Sequence, residues 1–456
     1  MRKGKNIYLD YAAATPADSR VLRAMRPYFG EKSANPGSLH SAGAVALAAL
    51  DKARETLAKA CGVEFRNVIF TASATEANNL ALRGVARGFR RQALGVNFLA
   101  PKIIVSAVEH DSVLETARDM ERAGEIELAV IPVDKRGVVD IKKLESILDE
   151  RTVLVSVMYV NNEIGTVQPI TEISKIIRNF RNSKLETRNP KQTRNLELPI
   201  PNVSDLEFKA SGLVERYPLF HVDAAQAFLY YPCNLDELGA DLITLSSQKI
   251  YGPKGVGALI LGARHQALGT SKTETKNGMT LTPNAYGLMP ILTGGGQEFG
   301  LRAGTENVPA IVGFAAAVAY AERERVKNTK HIRKVRDAFA RELARALPGV
   351  KKNTPTSGRP AGGRAPHLLN IAFPPGVLSE DLLVLFDREG IAASPGAACR
   401  ARALALSHVL RAIDIPDERI KRSVRFSFGR GVTVPDAQRA ARIVARAARS
   451  LFRKAR

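Results

Sequence analysis

Lys249 and Asp223 stand where packing alone does not account for them. Lys249 follows an apolar run, Asp241 to Ser246, and precedes the glycine-rich stretch IYGPKGVGALIL, while Asp223 closes a second apolar run in FHVDAAQ. A lone strand-end lysine is usually a solvated one. A lysine and an acid at neighbouring strand ends are what pyridoxal phosphate needs. The amine forms the Schiff base, and the acid beside the pyridine nitrogen keeps it protonated so that the ring accepts electrons.

The phosphate of such a cofactor needs donors at a helix N-terminus, where unpaired amides and the helix dipole favour an anion. The run Asn67 to Thr71 leads into SATEANNLAL, which offers the Ala74 amide and the Thr75 hydroxyl, with Ser246 and Gln248 as further donors. Alone, Ser73 and Glu76 read as a capping box. His110, in SAVEHDSVLE, is placed to stack on the ring and move protons near neutral pH; its plainer reading is a helix-start histidine with a local hydrogen bond. Asn162 and Gln226 are candidates for the ring's phenolic oxygen, and Arg425, in SVRFSFGR, offers a fork for an amino-acid carboxylate. Cys399 lies in AASPGAACRA, a stretch of small residues without a bulky apolar anchor. A thiol on such a loop can attack as a thiolate, and Arg400 and Arg402 beside it favour that form.

These residues need a scaffold that brings strand ends together. Apolar, β-branched runs at Asn67 to Thr71, Lys102 to Ser106, Val153 to Tyr159, Leu219 to Val222 and Asp241 to Ser246 alternate with helical stretches. That alternation predicts parallel strands with right-handed crossovers, an α/β domain whose ligands sit beyond the carboxyl ends of the strands. Each run is followed by a polar cluster. After about Ala310 the pattern changes to helices at Ile311 to Lys327 and Ile332 to Leu347, then strands near Leu369 to Phe373 and Val424 to Phe428. The expected organisation is a large domain over 16–290 with a mostly parallel central sheet. A smaller α+β domain over 291–456 joins the N-terminal arm 1–15. Two polar, proline-interrupted stretches, 179–218 and 269–286, read as inserted surface loops.

Composition narrows the class. A chain of 456 residues with 45% hydrophobic and 25% charged residues is globular and long enough for two domains. The N-terminus has no apolar signal stretch and no segment approaches the ~18 apolar residues of a membrane span, so a cytoplasmic protein is expected. Three cysteines without a C-x-x-C spacing argue against a structural metal or a disulfide framework, and Cys61 and Cys233 read as core residues. The formal net charge of +22 raises the question of nucleic acid. Its densest stretch, Arg439 to Arg456, reads as one solvated helix face, and the sequence leaves direct RNA contact open.

With these motifs assembled, the chain resembles the cysteine desulfurases of the class V aminotransferase group, fold type I pyridoxal-phosphate enzymes. LDYAAATP, TASATEANNLAL, EHDSVLET, VNNEIG, HVDAAQ, SSQKIYGPKGVG, GGGQEFGLRAGTEN, GAAC and RFSFGR follow that family's motifs in its order. The resemblance implies Lys249 as the Schiff-base lysine, Asp223 on the pyridine nitrogen, and Asn162 and Gln226 near the ring oxygen. It places His110 on the ring, and Ala74, Thr75, Ser246 and Gln248 at the phosphate. Gln248 stands where the long-loop subgroup usually has histidine, and its amide still donates. The resemblance also implies that Thr305 of RAGT reaches the phosphate of a second subunit, hence a homodimer. Arg425 holds the carboxylate of L-cysteine, with Asn162 beside it, and Cys399 carries the persulfide. Either Lys249 or His110 moves the α-proton. A sulfur-acceptor protein is implied, either an iron-sulfur scaffold or a tRNA-thiolation relay. Selenocysteine lyase, or another class V reaction such as transamination, is the alternative on the same fold.

Overall fold

The computed structural model describes residues 6–92, 100–186, 217–262, 287–355, 363–395 and 406–454. The N-terminal arm opens with strand β1 (Ile7–Tyr8). The central sheet follows with β2 (Val68–Thr71), β3 (Lys102–Ser106), β4 (Glu127–Ile131), β5 (Thr152–Met158), β6 (Leu219–Asp223), β7 (Leu242–Ser246) and β8 (Gly257–Leu261). These seven strands lie in the order β2-β8-β7-β6-β5-β3-β4, and β8 alone runs against the rest. The expected α/β class with a mostly parallel sheet is what the chain forms.

The strands read as continuous apolar runs because both faces of the sheet are covered. Successive side chains feed opposite cores: Val68 and Phe70 of β2 enter one cluster and Ile69 the other, as do Phe220 and Val222 of β6 against Leu219. The first core packs under the helix Ser41–Cys61 and the second under the helices Ala74–Gln92 and Asp111–Arg122.

A second layer follows in the chain: β9 (Lys351–Lys352), β10 (Leu368–Ala372), β11 (Ile391–Ala392) and β12 (Ser423–Ser427). β12, β10 and β9 form an antiparallel sheet, and β11 pairs in parallel with β1, which ties the arm to this layer.

Two expectations change. The two helices expected at Ile311 to Lys327 and Ile332 to Leu347 are one helix, Val308–Ala346. The polar stretch NTK between them holds neither glycine nor proline, so nothing breaks the backbone; Asn328 is buried there, and His331 Nε2 donates to the Val432 carbonyl at 2.9 Å. At roughly 58 Å this helix spans both layers. The loop expected from Asn179 starts later, because the helix Ile170–Glu186 runs on. Arg181 holds it down by donating from Nε to the Pro218 carbonyl at 2.8 Å and by pairing with Asp241. The rest of that stretch up to residue 216, and all of 269–286, lie outside the described residues. The C-terminal arginines do lie exposed along one final helix, Val434–Lys454, as expected, and there they find partners. Arg439 pairs with Asp436, Arg442 with Glu342 and Arg446 with Glu389, while Arg449 donates to the Ala346 carbonyl.

The segment GGGQEFGLRAGTEN is fastened by a buried ion pair. Arg54 and Glu298, 4% and 2% exposed, meet at 2.8 Å through both carboxylate oxygens. Glu298 also accepts from the Phe70 amide at 2.9 Å, and the Arg54 guanidinium lies 4.9 Å from the Phe70 and Phe299 rings. Removing one partner strands a charge in the core. Glu298→Ala is therefore expected to lower stability by about 3–5 kcal/mol, measured as the urea midpoint of unfolding.

Candidate active site

Five strand ends deliver polar residues to one side of the sheet. β6 ends on Asp223, β7 leads through Ser246 into the turn Ser247–Lys249, and β2 leads into the helix that begins at Ala74. Beyond β3 come Glu109 and His110, and beyond β5 come Asn161 to Glu163. They enclose a cavity of about 240 Å³ lined by Ala74, Thr75, His110, Asn162, Asp223, Gln226, Ser246, Gln248, Lys249 and Arg425. A larger groove of about 850 Å³ around Arg20, Tyr251 and Arg430 is an open surface feature. Its Asp18, Arg20, Glu324 and Arg430 are spent on one another.

The lysine turn and the N-terminal arm clip together. Lys249 Nζ donates to the carbonyls of Ala12 and Ala13, both at 2.7 Å. Thr15 closes the clip from its amide and hydroxyl to the Gln248 carbonyl, each at 2.9 Å, while its hydroxyl oxygen accepts from the Tyr251 amide at 2.7 Å. The motif LDYAAATP therefore serves as the seat of the lysine.

Asp223 is oriented rather than merely present. Its Oδ1 accepts from the Ala225 amide and its Oδ2 from Asn78 Nδ2, both at 2.9 Å. Asn78 Nδ2 also donates to Ser112 Oγ at 2.8 Å, and Ser112 Oγ lies 2.8 Å from His110 Nδ1. The Ser112 amide donates to the same Nδ1 at 3.1 Å. With two donors converging on Nδ1, the imidazole proton belongs on Nε2. Burial, then the Lys249 charge, lowers the His110 pKa against the pull of Asp223, so the ring is neutral near pH 7. His110 is thus both the helix cap of the plainer reading and a cavity residue.

The opposite wall is acidic and buried. Glu109 accepts from the Met158 amide at 2.9 Å and from the Ser106 hydroxyl. Burial pushes its carboxyl up to about 8, with Asp223 adding to the rise and those two hydrogen bonds opposing it. The folded chain thus holds a proton that the unfolded chain, with a pKa near 4.5, has released. Stability therefore falls as pH rises between these two values. Glu109→Gln is expected to flatten that decline, read as urea midpoints at about pH 5.5 and about pH 8. Glu163 is also raised by burial and accepts from the Ser407 hydroxyl at 2.6 Å. Arg425, 2% exposed, donates to Asp10 at 2.9 Å and to the Asn162 carbonyl at 3.1 Å, and its buried Nε has no partner among the described residues.

The far end of the cavity is a cradle. Ser73 Oγ caps Glu76, which leaves the Ala74 and Thr75 amides in the first turn without intrahelical partners. Gly257 makes the approach possible, since a Cβ there would sit 2.6 Å from the Ser73 carbonyl carbon and 2.8 Å from the Ala74 nitrogen.

Residues 7–185 and 209–439 match the aminotransferase class-V family. The chain belongs to this family. Its relatives include proteins named cysteine desulfurase IscS. That of Dictyoglomus turgidum is 36% identical over 95% of this chain and 92% of its own length. That of Rickettsia massiliae is 34% identical over 96% and 90%. A solved NifS-like protein superposes with a TM-score of 0.75 at 30% identity, covering 97% of this chain and 98% of its own. The NifS-like protein from Rickettsia africae gives 0.72 at 27% identity, covering 98% and 99%.

Within this class-V member, Thr305, Cys399, Arg400 and Arg402, all singled out from sequence, are not among the described residues that line the cavity. Thr305 lines a separate cavity of about 130 Å³ with Thr71, Gly255 and Arg302. Cys399 lies outside the described residues, although both flanks of its segment are held at the cavity wall. Ser394 exchanges backbone hydrogen bonds with Arg425 at 3.2 and 2.8 Å, and on the other side Ser407 holds Glu163 and His408 Nε2 donates to the Glu109 carbonyl at 2.8 Å. Sequence reasoning missed Asn78, Ser112, His408 and the Ala12 carbonyl. Asn78 had a readable signal, four residues after Ala74 on the same helix face. A carbonyl has none.

Proposed function

We propose that the chain is a cysteine desulfurase that binds pyridoxal phosphate, converting L-cysteine to L-alanine while Cys399 takes up the sulfur. The observation that carries this reading is the convergence of Lys249, Asp223, His110 and Arg425 on one cavity whose wall anchors both flanks of the Cys399 segment. An anion cradle at Ala74 and Thr75, an oriented acid at Asp223 and an amine at Lys249 are the donor set that a phosphate-bearing pyridine aldehyde requires, so the residues fit the cofactor. When bound, that cofactor supplies an electron sink for charge developing at the substrate α-carbon.

The chain's own residues do the rest. Ala74, Thr75, Ser246 and Gln248 bind the phosphate, and Thr305 of a second copy completes that end in a homodimer. Asp223, held by Asn78 and Ala225, keeps its carboxylate on the pyridine nitrogen. Arg425 fixes the substrate carboxylate with N–H donors left over from Asp10 and Asn162. Lys249 Nζ takes the α-proton, because His110 already carries its proton at Nε2 and offers that edge as a donor. The Cys399 thiolate attacks the substrate sulfur, so that an S–S bond forms as the substrate C–S bond breaks. The electron pair of that bond stays on carbon, which is protonated to alanine, and no external oxidant is needed.

The thiols of Cys61 and Cys233 are poor rivals. Both are buried, and burial pushes Cys233 up to about 12 and Cys61 well above its ordinary value. The downstream acceptor is a sulfur-carrying protein, either an iron-sulfur scaffold or a tRNA-thiolation relay. Among the described residues no helix is long and apolar enough to cross a membrane. Protein supplied with pyridoxal phosphate and L-cysteine, with reductant and without any keto acid, is expected to form alanine and sulfide in equal amounts. A requirement for a keto acid points instead to transamination, and a strong preference for selenocysteine to a lyase of that substrate.

A further inference from the structure

We propose that His367 is a positioning residue for the cofactor's phenolic oxygen: by donating from Nε2 to Gln226 Oε1, it turns the Gln226 amide so that one Nε2 hydrogen serves the cavity. The inference rests on the cofactor reading above and adds a residue from outside the cavity lining.

The hydrogen-bond pattern fixes the amide. Gln226 reaches the Ala12 carbonyl with Nε2 at 2.9 Å, and its Oε1 lies 3.2 Å from His367 Nε2. A carbonyl only accepts, so the Gln226 atom facing Ala12 is the nitrogen and the atom facing His367 is the oxygen. His367 must therefore donate, which puts its proton on Nε2. The ring is 1% exposed and stacked on Tyr230 at 4.2 Å with planes 14° apart, so it cannot swing away. Burial first, and then Arg336, Arg425 and Lys249, hold its pKa well below the ordinary histidine value, which keeps it neutral with a single proton. Nδ1 is then a lone pair, the milder group to leave without a partner among the described residues.

The second hydrogen of the amide is the one that matters. One Nε2 hydrogen of Gln226 is taken by the Ala12 carbonyl, and a single carbonyl oxygen cannot take both hydrogens of one planar amide. The other Nε2 hydrogen of Gln226, a cavity-lining residue, remains for an oxygen in the cavity. Without His367 the partly buried Oε1 loses its donor, and the amide turns to find another, withdrawing that hydrogen.

The test is the pH titration of the visible absorption band of the protein loaded with pyridoxal phosphate. A hydrogen bond into the phenolic oxygen stabilises its anion. Losing it strengthens the oxygen's hold on the shared proton and raises the midpoint. His367→Phe keeps the stack on Tyr230 but not the donor, and is expected to raise the midpoint by about one unit. His367→Gln, which places an N–H near the former Nε2, is expected to restore it. Gln226→Ala should show the same rise, and adding His367→Phe to it should add nothing. If His367→Phe does not fold, as judged by urea unfolding, His367→Asn, whose amide is too short to reach Gln226, is read in its place. An unchanged midpoint in the donor-less variant, or an equal further rise in the Gln226→Ala background, overturns the proposal. Wild-type protein that develops no visible band counts against the cofactor reading itself and takes this proposal down with it.

Discussion

Lys249→Ala is expected to lower desulfurase turnover by about 10³-fold or more and to abolish the covalently held visible band. The chain itself should fold as before. In the proposed reading Lys249 carries two tasks at one atom, bonding the cofactor and moving the α-proton. With Nδ1 of His110 occupied by Ser112, the histidine offers no free lone pair to replace it. The structural cost is small by comparison. In the free chain Nζ is bonded to the carbonyls of Ala12 and Ala13, and those bonds are surrendered in any case when the amine engages the cofactor. Sulfide release under reductant, the visible spectrum and the urea midpoint, measured on one preparation, separate the two effects. Retained turnover with a normal spectrum contradicts the assignment.

Cys399→Ala is expected to do the reverse: the visible band stays and sulfide release falls by about 10³-fold or more. The argument is one of reach. Cys399 stands five residues beyond Ser394 and eight before Ser407, and both of those residues are bonded to the cavity wall. An extended chain spans at most ~3.4 Å per residue, so the Cys399 backbone stays within about 17 Å of its Ser394 anchor. That distance covers the cavity and leaves room to present sulfur outside it. Undiminished sulfide release from Cys399→Ala shows that another thiol, or none, receives the sulfur.

The sheet was legible because its strands are buried on both faces and therefore appear as unbroken apolar runs, as in Leu219–Asp223 and Leu242–Ser246. Helix ends were less so. The run NTK looked like a boundary because it is polar, yet polarity without glycine or proline does not end a helix, and Val308–Ala346 continues through it. The cavity residues could be read wherever a strand end carries them, as with Asp223, Ser246 and Lys249. Residues that act through the fold could not. His367 meets Gln226 across 141 residues, His408 meets Glu109 across 299, and the seat of Lys249 is made of backbone oxygens from the arm, which no side-chain motif encodes. At the basic C-terminus, spacing displays the exposed arginine face but not the distant Glu342 and Glu389 that pair with it.

The central claim is that one amine and one loop thiol act on the same substrate. Its most direct test is to mix the cofactor-loaded protein with a limiting amount of L-cysteine and no reductant, alkylate, digest, and weigh the cysteine-bearing peptides while counting alanine. The account predicts a mass gain of one sulfur atom on the peptide carrying Cys399, in proportion to alanine formed, with none on those carrying Cys61 or Cys233. Alanine formed while the Cys399 peptide keeps its original mass contradicts it.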